Sequence, residues 1–179
     1  MRVFRGFQHP GIAAACALTI GNFDGVHRGH QAMLALLKTE ARRRGVPSCV
    51  LTFEPHPRDY FAEVAGKSSL APARISTLRD KLAALEQCGI DQVVVLRFDA
   101  RLAAQSPEAF IQEVLRQGLG DYAMLSAAGQ ALGFGVARMD SYEVENLRVS
   151  SSAVREALAA GDMALAAQLL GRPYSLSGH

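Results

Sequence analysis

Cysteine is scarce in this chain, and neither sign of charge is in large excess. The three cysteines, Cys16, Cys49 and Cys88, are an odd number with no metal-ligand spacing. That excludes a disulfide framework and a thiolate metal knuckle. Cys16 and Cys49 fall inside apolar, strand-like runs and read as small core residues, which fits a chain expected in the reducing cytoplasm. A formal net charge of +2 is too small to argue for nucleic acid or a membrane surface, and neither is an expected partner. The one basic cluster, Arg42 to Arg44, falls where a helix should end, and there it complements the helix dipole. No apolar run is long enough to span a membrane, and Arg2 and Arg5 are not followed by the apolar stretch of a secretion signal. Repeats and low-complexity segments are also missing. What remains is an ordinary globular composition, 49% hydrophobic and 20% charged, in a chain of a length that suits one domain with a real core.

The hydrophobic pattern alternates between two periods. "AAACALTI" (Ala13 to Ile20), "PSCVLTF" (Pro47 to Phe53) and "DQVVVLRF" read as buried strands. "RGHQAMLALLKTEARRRG" reads as a helix with Met33, Leu34, Leu37 and Ala41 on one face and Gly45 as its stop. Thr77, with Asp80 three residues on, opens a second helix that ends at Gly89. Ser106 and Pro107 open a third. "DYAMLSAAGQALG" reads as helix and "FGVARMD" as strand, and two short helices follow, joined at Gly161-Asp162. Between Glu54 and Arg74 lies a long polar stretch, which reads as a loop held extended by Pro55 and Pro57. Strands separated by helices imply an α/β domain with a parallel sheet flanked by helices. In such sheets ligands bind at the carboxyl ends of the strands.

The stretch "TIGNFDGVHRGHQAML" sits at such an end. Gly21 stops the strand, Gly25 allows a tight turn, and the next helix should start near Val26 or His27. Its unpaired N–H groups and positive dipole end make an anion site. His27 and His30, three apart, should share a face of the first turn, with Gly29 between them leaving room for a ligand. This arrangement suits a phosphate chain whose phosphorus gains negative charge during transfer. A metal pair is the other reading of two histidines, but no third ligand accompanies them, and no metal site is expected.

"GNFDGVHRGH" resembles the G-x-F-D-x-x-H-x-G-H signature of the Rossmann-like nucleotidyltransferases. In its G-N-F-D-G-V-H form it resembles the prokaryotic bifunctional riboflavin kinase/FMN adenylyltransferases, the FAD synthetases. "LTFEPHPRDYF", "RISTLRDKLAALEQCGID", "FDARLAAQSPEAFI" and "RVSSSAVREALAAGDMALAAQLLGRPYSLSG" resemble further segments of that family, so the likeness covers nearly the whole chain. It implies a nucleotidyltransferase domain over 1–170, with 171–179 as a linker toward a riboflavin kinase domain to which such domains are normally fused. It also implies transfer of the adenylyl group of ATP to FMN, with Mg²⁺ brought by the ATP, giving FAD and pyrophosphate.

By the same resemblance His27 and His30 are the catalytic pair, and Gly21, Asn22, Phe23, Asp24 and Gly29 belong to the ATP site. "VSSSAVR" resembles the motif I-S-S-T-x-x-R, with Ser152 in place of threonine, and adds Ser151, Ser152 and Arg155 to that site; taken alone, the two serines are a plain helix cap. Phe53, His56 and Pro57 are the flavin-side candidates, although His56 also reads as a solvent-facing residue of a rigid loop.

The chain departs from the family pattern between Leu119 and Gly120, where a strand and a G-x-D/N-F-x-F-G segment are missing. A sheet without an inner strand would leave a hole, so residues are expected to have been passed over there. No riboflavin kinase activity is expected. Two rival readings remain: adenylyl transfer to another phosphorylated acceptor, and a catalytically silent nucleotide- or flavin-binding module.

Overall fold

The computed structural model describes residues 1–110, 113, 143–144 and 147–177. They fall into two compact units. The first holds Met1–Asn22, Leu37–Ala71 and the described residues of Ile90–Arg138; the second holds Phe23–Leu36, Pro72–Gly89 and the described residues of Met139–His179.

The first unit is built on four parallel strands, β1 (Arg2–Arg5), β2 (Ala17–Ile20), β3 (Ser48–Glu54) and β4 (Gln92–Arg97), in the order β1-β4-β3-β2. β3 and β4 are the inner pair. Their runs "CVL" and "VVVL" are buried residue after residue, as in a parallel sheet covered on both faces. Phe4, Cys16, Cys49, Leu51, Val94 and Leu96 form the core cluster. Both cysteines are thus core residues, and neither is in a disulfide among the described residues.

β1 lies outside the strands read from the sequence. Only Phe4 of its four residues is buried, so the run carries too little apolar signal to stand out, and its pairing with β4 makes it a strand.

The stretch after β3 also departs from expectation. It is not an extended loop: the Glu54–Pro55 peptide is cis, and Pro57 opens helix α2 (Pro57–Val64). Proline suits the first helical position because the N–H it lacks would be unpaired there. α2 is preceded by α1 (Arg28–Arg44), which ends at Gly45 with φ 65. Leu34 and Ala41 of α1 are buried, and Arg43 and Arg44 in its last turn pair with Glu40.

In the second unit α3 (Leu78–Gln87) starts at Thr77, whose hydroxyl accepts the Asp80 N–H while the Asp80 carboxylate answers the Thr77 N–H. Of the next helices, α4 (Ala100–Ala103) and α5 (Pro107–Phe110) belong to the first unit, and α6 (Ser151–Ala159) and α7 (Met163–Leu170) to the second. α6 and α7 pack against each other. Val154, Ala157, Ala166, Leu169 and Leu170 from these helices, with Ile75 and Val149, form the core of this unit. A two-stranded antiparallel ladder, β5 (Glu143–Val144) with β6 (Leu147–Arg148), completes the described elements. The expected helix at "DYAMLSAAGQALG", the strand at "FGVARMD" and the Leu119–Gly120 junction lie outside the described residues. Among the described residues no helix is long and apolar enough to cross a membrane.

Candidate active site

The signature stretch begins in the first unit. The Gly21 N–H donates to the Leu51 carbonyl at 3.1 Å, carrying the ladder one residue past β2. The Thr52 hydroxyl donates to the Asn22 carbonyl at 3.3 Å. The amide oxygen of Asn22 is buried and has no hydrogen-bond partner among the described residues.

From Phe23 onward the stretch belongs to the second unit and folds as a turn, not as the start of the helix. Asp24–Val26 is a single 3-10 turn, and α1 begins only at Arg28. Phe23 and Val26 have φ of 50° and 40°. The left-handed region is uncommon for any side chain and an outlier for a β-branched one. Gly25, at φ 80°, is the residue that suits it, and a Cβ there would stand 2.7 Å from Ile75 Cγ2.

Side chains from distant parts of the chain hold this turn. The Asp24 carboxylate is 2% exposed. It accepts the Ile75 and Ser76 N–H groups at 3.1 Å, the Ser76 hydroxyl at 3.3 Å and Arg155 Nη2 at 2.6 Å. The Ser76 hydroxyl also accepts the Gly25 N–H at 3.0 Å. Arg155 donates through Nε to the Ala73 carbonyl at 2.8 Å, so its guanidinium is committed to the protein on two sides. A buried carboxylate with a guanidinium and several N–H donors is a satisfied charge; without the guanidinium it would be a severe liability.

His27 lies between the 3-10 turn and α1. Its carbonyl accepts the Gln31 N–H at 2.9 Å, and its Nδ1 accepts the His30 N–H at 3.3 Å. The two histidines therefore do not share a helical turn, as the spacing had implied. One precedes the helix and the other is in it, and their rings nevertheless stack at 3.6 Å with planes 16° apart. The space expected for a ligand beside Gly29 is taken, since a Cβ there would meet the His27 ring and the Val149 carbonyl at 3.2 Å. Because His27 Nδ1 is an acceptor, the neutral ring carries its proton on Nε2.

Both rings are neutral near pH 7. Burial pulls His27 down to about 4, against the opposing pull of Asp24. Burial, the His27 ring and the charge of Lys81 pull His30 down to about 3. Two stacked cations would repel, and neutrality is what lets the rings lie face to face. His30 Nδ1 is buried and has no hydrogen-bond partner among the described residues.

Ser150, which the sequence reading did not single out, caps α6: its hydroxyl accepts the Ala153 N–H at 3.2 Å. The Ser151 hydroxyl donates to the Asp24 carbonyl at 3.3 Å, and Ser152 is exposed. So the structure gathers Asp24, His27, His30, Ser151 and Arg155 around one turn. Lys81, fully buried on α3, was also missed. Its only trace in the sequence is its place in the "RISTLRDK" segment.

The flavin-side candidates lie in the first unit. His56 is 5% exposed rather than solvent-facing; it precedes α2, and its Nδ1 accepts the Arg58 N–H at 3.1 Å. Phe53 meets Phe98 edge-on at 5.8 Å, and Phe98 lies 5.4 Å from Tyr60 and 5.6 Å from Phe61. Phe61 is 53% exposed, so this aromatic cluster has an open side. Sequence reading found only Phe53 of it, because Phe98 comes from another strand end. Among the described residues no group of three or more His, Cys, Asp or Glu could hold a metal ion.

Comparison with known proteins identifies the pattern. The FAD synthetase family model matches residues 9–120. Proteins described as bifunctional riboflavin kinase/FMN adenylyltransferase are similar along almost the entire chain. That of Escherichia coli K12 is 40% identical over 198 residues, covering 99% of this chain and 62% of its own length. Those of Haemophilus influenzae and Pseudomonas fluorescens are 41% and 43% identical, covering 99% and 91% of this chain and 62% and 56% of their own lengths. The chain thus spans about three-fifths of the relatives' length. The Escherichia coli alignment, over 198 residues, is longer than the 179 residues of the chain, so that relative carries extra residues inside the matched region. A solved structure described as a macrolide-efflux protein from Streptococcus pneumoniae shares the fold, with a TM-score of 0.75 at 20% identity, covering 97% of this chain and 72% of its own.

Proposed function

Since the chain belongs to the FAD synthetase family, we propose that it transfers the adenylyl group of ATP to FMN, releasing FAD and pyrophosphate. The observation that carries this reading is the stacked pair His27 and His30 at the mouth of α1, held neutral by burial. A phosphate oxygen of FMN attacks the α-phosphorus of ATP, the new P–O bond forms, and the bond to pyrophosphate breaks. No protein nucleophile is needed, so the protein's part is alignment and stabilisation of charge on the phosphoryl oxygens. His27, with its proton on Nε2, offers a hydrogen-bond donor to those oxygens whatever the pH above its titration. The N–H groups of the first turn of α1 and the hydroxyl of Ser152 add further donors, and Ser151 adds its own by releasing the Asp24 carbonyl.

Arg155 acts on the nucleotide in this reading through the Asp24 turn it braces, and directly only if ATP draws it off. Gly21, Asn22, Phe23 and Asp24 contribute backbone to the ATP site, where Gly29 serves by letting the His27 ring lie close to α1, and the Asn22 amide oxygen, without a partner among the described residues, is an acceptor. Phe53, His56 and Pro57, extended by Tyr60, Phe61 and Phe98, supply the flavin side, where an open aromatic cluster suits stacking on an isoalloxazine. Asp24 is fully engaged within the protein, so Mg²⁺ is assigned to the ATP phosphates as part of the substrate. FMN would be supplied by a riboflavin kinase, fused in the relatives by their description. Three cysteines outside any disulfide among the described residues fit the cytoplasm.

The test is direct. The purified chain is given FMN, ATP and Mg²⁺, and FAD and pyrophosphate are measured. His27→Ala should lower turnover about 10²- to 10³-fold while circular dichroism stays unchanged. Failure of the unaltered chain to make FAD, or an undiminished rate in the variant, overturns the reading. Adenylylation of pantetheine or nicotinamide nucleotide in place of FMN would shift it to another acceptor.

A further inference from the structure

The strained turn that presents His27 is gripped a second time, by two residues to which no role has yet been given. Arg172 lies two residues past the end of α7. Its Nη2 donates to the Gly25 carbonyl at 2.7 Å, and its Nη1 to the carbonyls of Val26 at 3.3 Å and Leu170 at 3.4 Å. Gln31, on the first turns of α1, donates through Nε2 to the same Val26 and Leu170 carbonyls, at 2.8 Å each. Gly171 makes the approach possible. It ends α7 with φ 73°, and a Cβ there would meet Arg28 Cγ and Gln31 Oε1 at 3.2 Å.

We propose that Arg172, together with Gln31, is a positioning residue for the transfer reaction: it clamps the carbonyls of Gly25 and Val26 and so fixes the ring of His27. The inference rests on the reading of His27 as a catalytic group. The geometry makes the case because left-handed Val26 is a conformation the chain would leave if released. The residue that follows it is His27. A guanidinium holds diverging carbonyls at once in a rigid fork; an ammonium on a flexible stem holds them with less fixed geometry.

Two measurements test the clamp. The first follows the ring proton signals of His27 by NMR as pH is lowered, and it needs no activity. In the unaltered chain the midpoint is expected near 4. In Arg172→Ala the ring should gain access to water, and its midpoint should rise by about one unit or more. Arg172→Lys should show a smaller rise in the same direction, and it decides the matter if the alanine variant does not fold. Leu169→Ala, which removes a core side chain of the same unit and none of the hydrogen-bonding groups of the clamp, should leave the midpoint in place. The second measurement is FAD formation, where Arg172→Ala should lower kcat roughly tenfold or more with KM for ATP nearly unchanged, as expected of an interaction needed in the transition state. An unmoved His27 midpoint in both Arg172 variants overturns the proposal, and so does an equal shift in Leu169→Ala. If the unaltered chain makes no FAD while the midpoints move as expected, the proposed reaction fails and the clamp stands.

Discussion

Two strand-to-helix turns follow neighbouring parallel strands, and they are held in opposite ways. The turn after β3 has a local cap: His56 accepts the Arg58 N–H, and Pro57 fixes the first helical residue. The turn after β2 is held from afar. Asp24 is bonded by Ile75, Ser76 and Arg155, and the carbonyls of Gly25 and Val26 by Arg172 and Gln31. Proteins can keep an unfavourable backbone only where the surroundings over-determine it, and only the second turn carries left-handed residues other than glycine.

The contrast can be broken first at Arg155. Arg155→Ala leaves the Asp24 carboxylate buried without its guanidinium and should cost about 3–5 kcal/mol, read from urea unfolding. At the turn after β3, His56→Ala removes the cap on the Arg58 N–H and should cost about 1 kcal/mol by the same measurement. Equal losses at the two turns would erase the distinction.

Acid sharpens it between these extremes. His27 and His30 titrate in the folded chain at about 4 and about 3, below the ordinary 6.5 they regain on unfolding. Between those limits the unfolded chain binds more protons, so stability must fall as pH drops from about 6.5 toward 4. It is unaffected by these two groups above that window. The unfolding midpoint in urea, followed from pH 7 to pH 4, should decline, and His30→Gln should flatten the decline by removing one of the two protons. A pH-independent midpoint would contradict the burial assigned to the rings.

The same contrast explains what could be read from the sequence. Capping by Thr77 and Asp80, the stop at Gly45 and the long apolar face of α1 are written within a few residues of each other, and they are legible. The histidine pair is legible as a motif. What escaped depends on partners far along the chain. β1 is a strand because β4 lies beside it. Asp24 is a structural hub because Arg155 arrives from 131 residues away. Arg172 has no local reason to matter at all. The error at α2 is of another kind: its prolines were given their extended meaning, when one of them was a helix start.

Val26 has a practical consequence for anyone wishing to harden this protein for industrial use. The standard remedy for a left-handed residue is glycine, which would relieve strain of order 1–3 kcal/mol. But the Val26 side chain is fully buried, and deleting it forfeits about 1.5–3 kcal/mol of packing. The two quantities cancel within their spread, so a thermostability screen would pass over this position, although it sets the aim of the neighbouring imidazole.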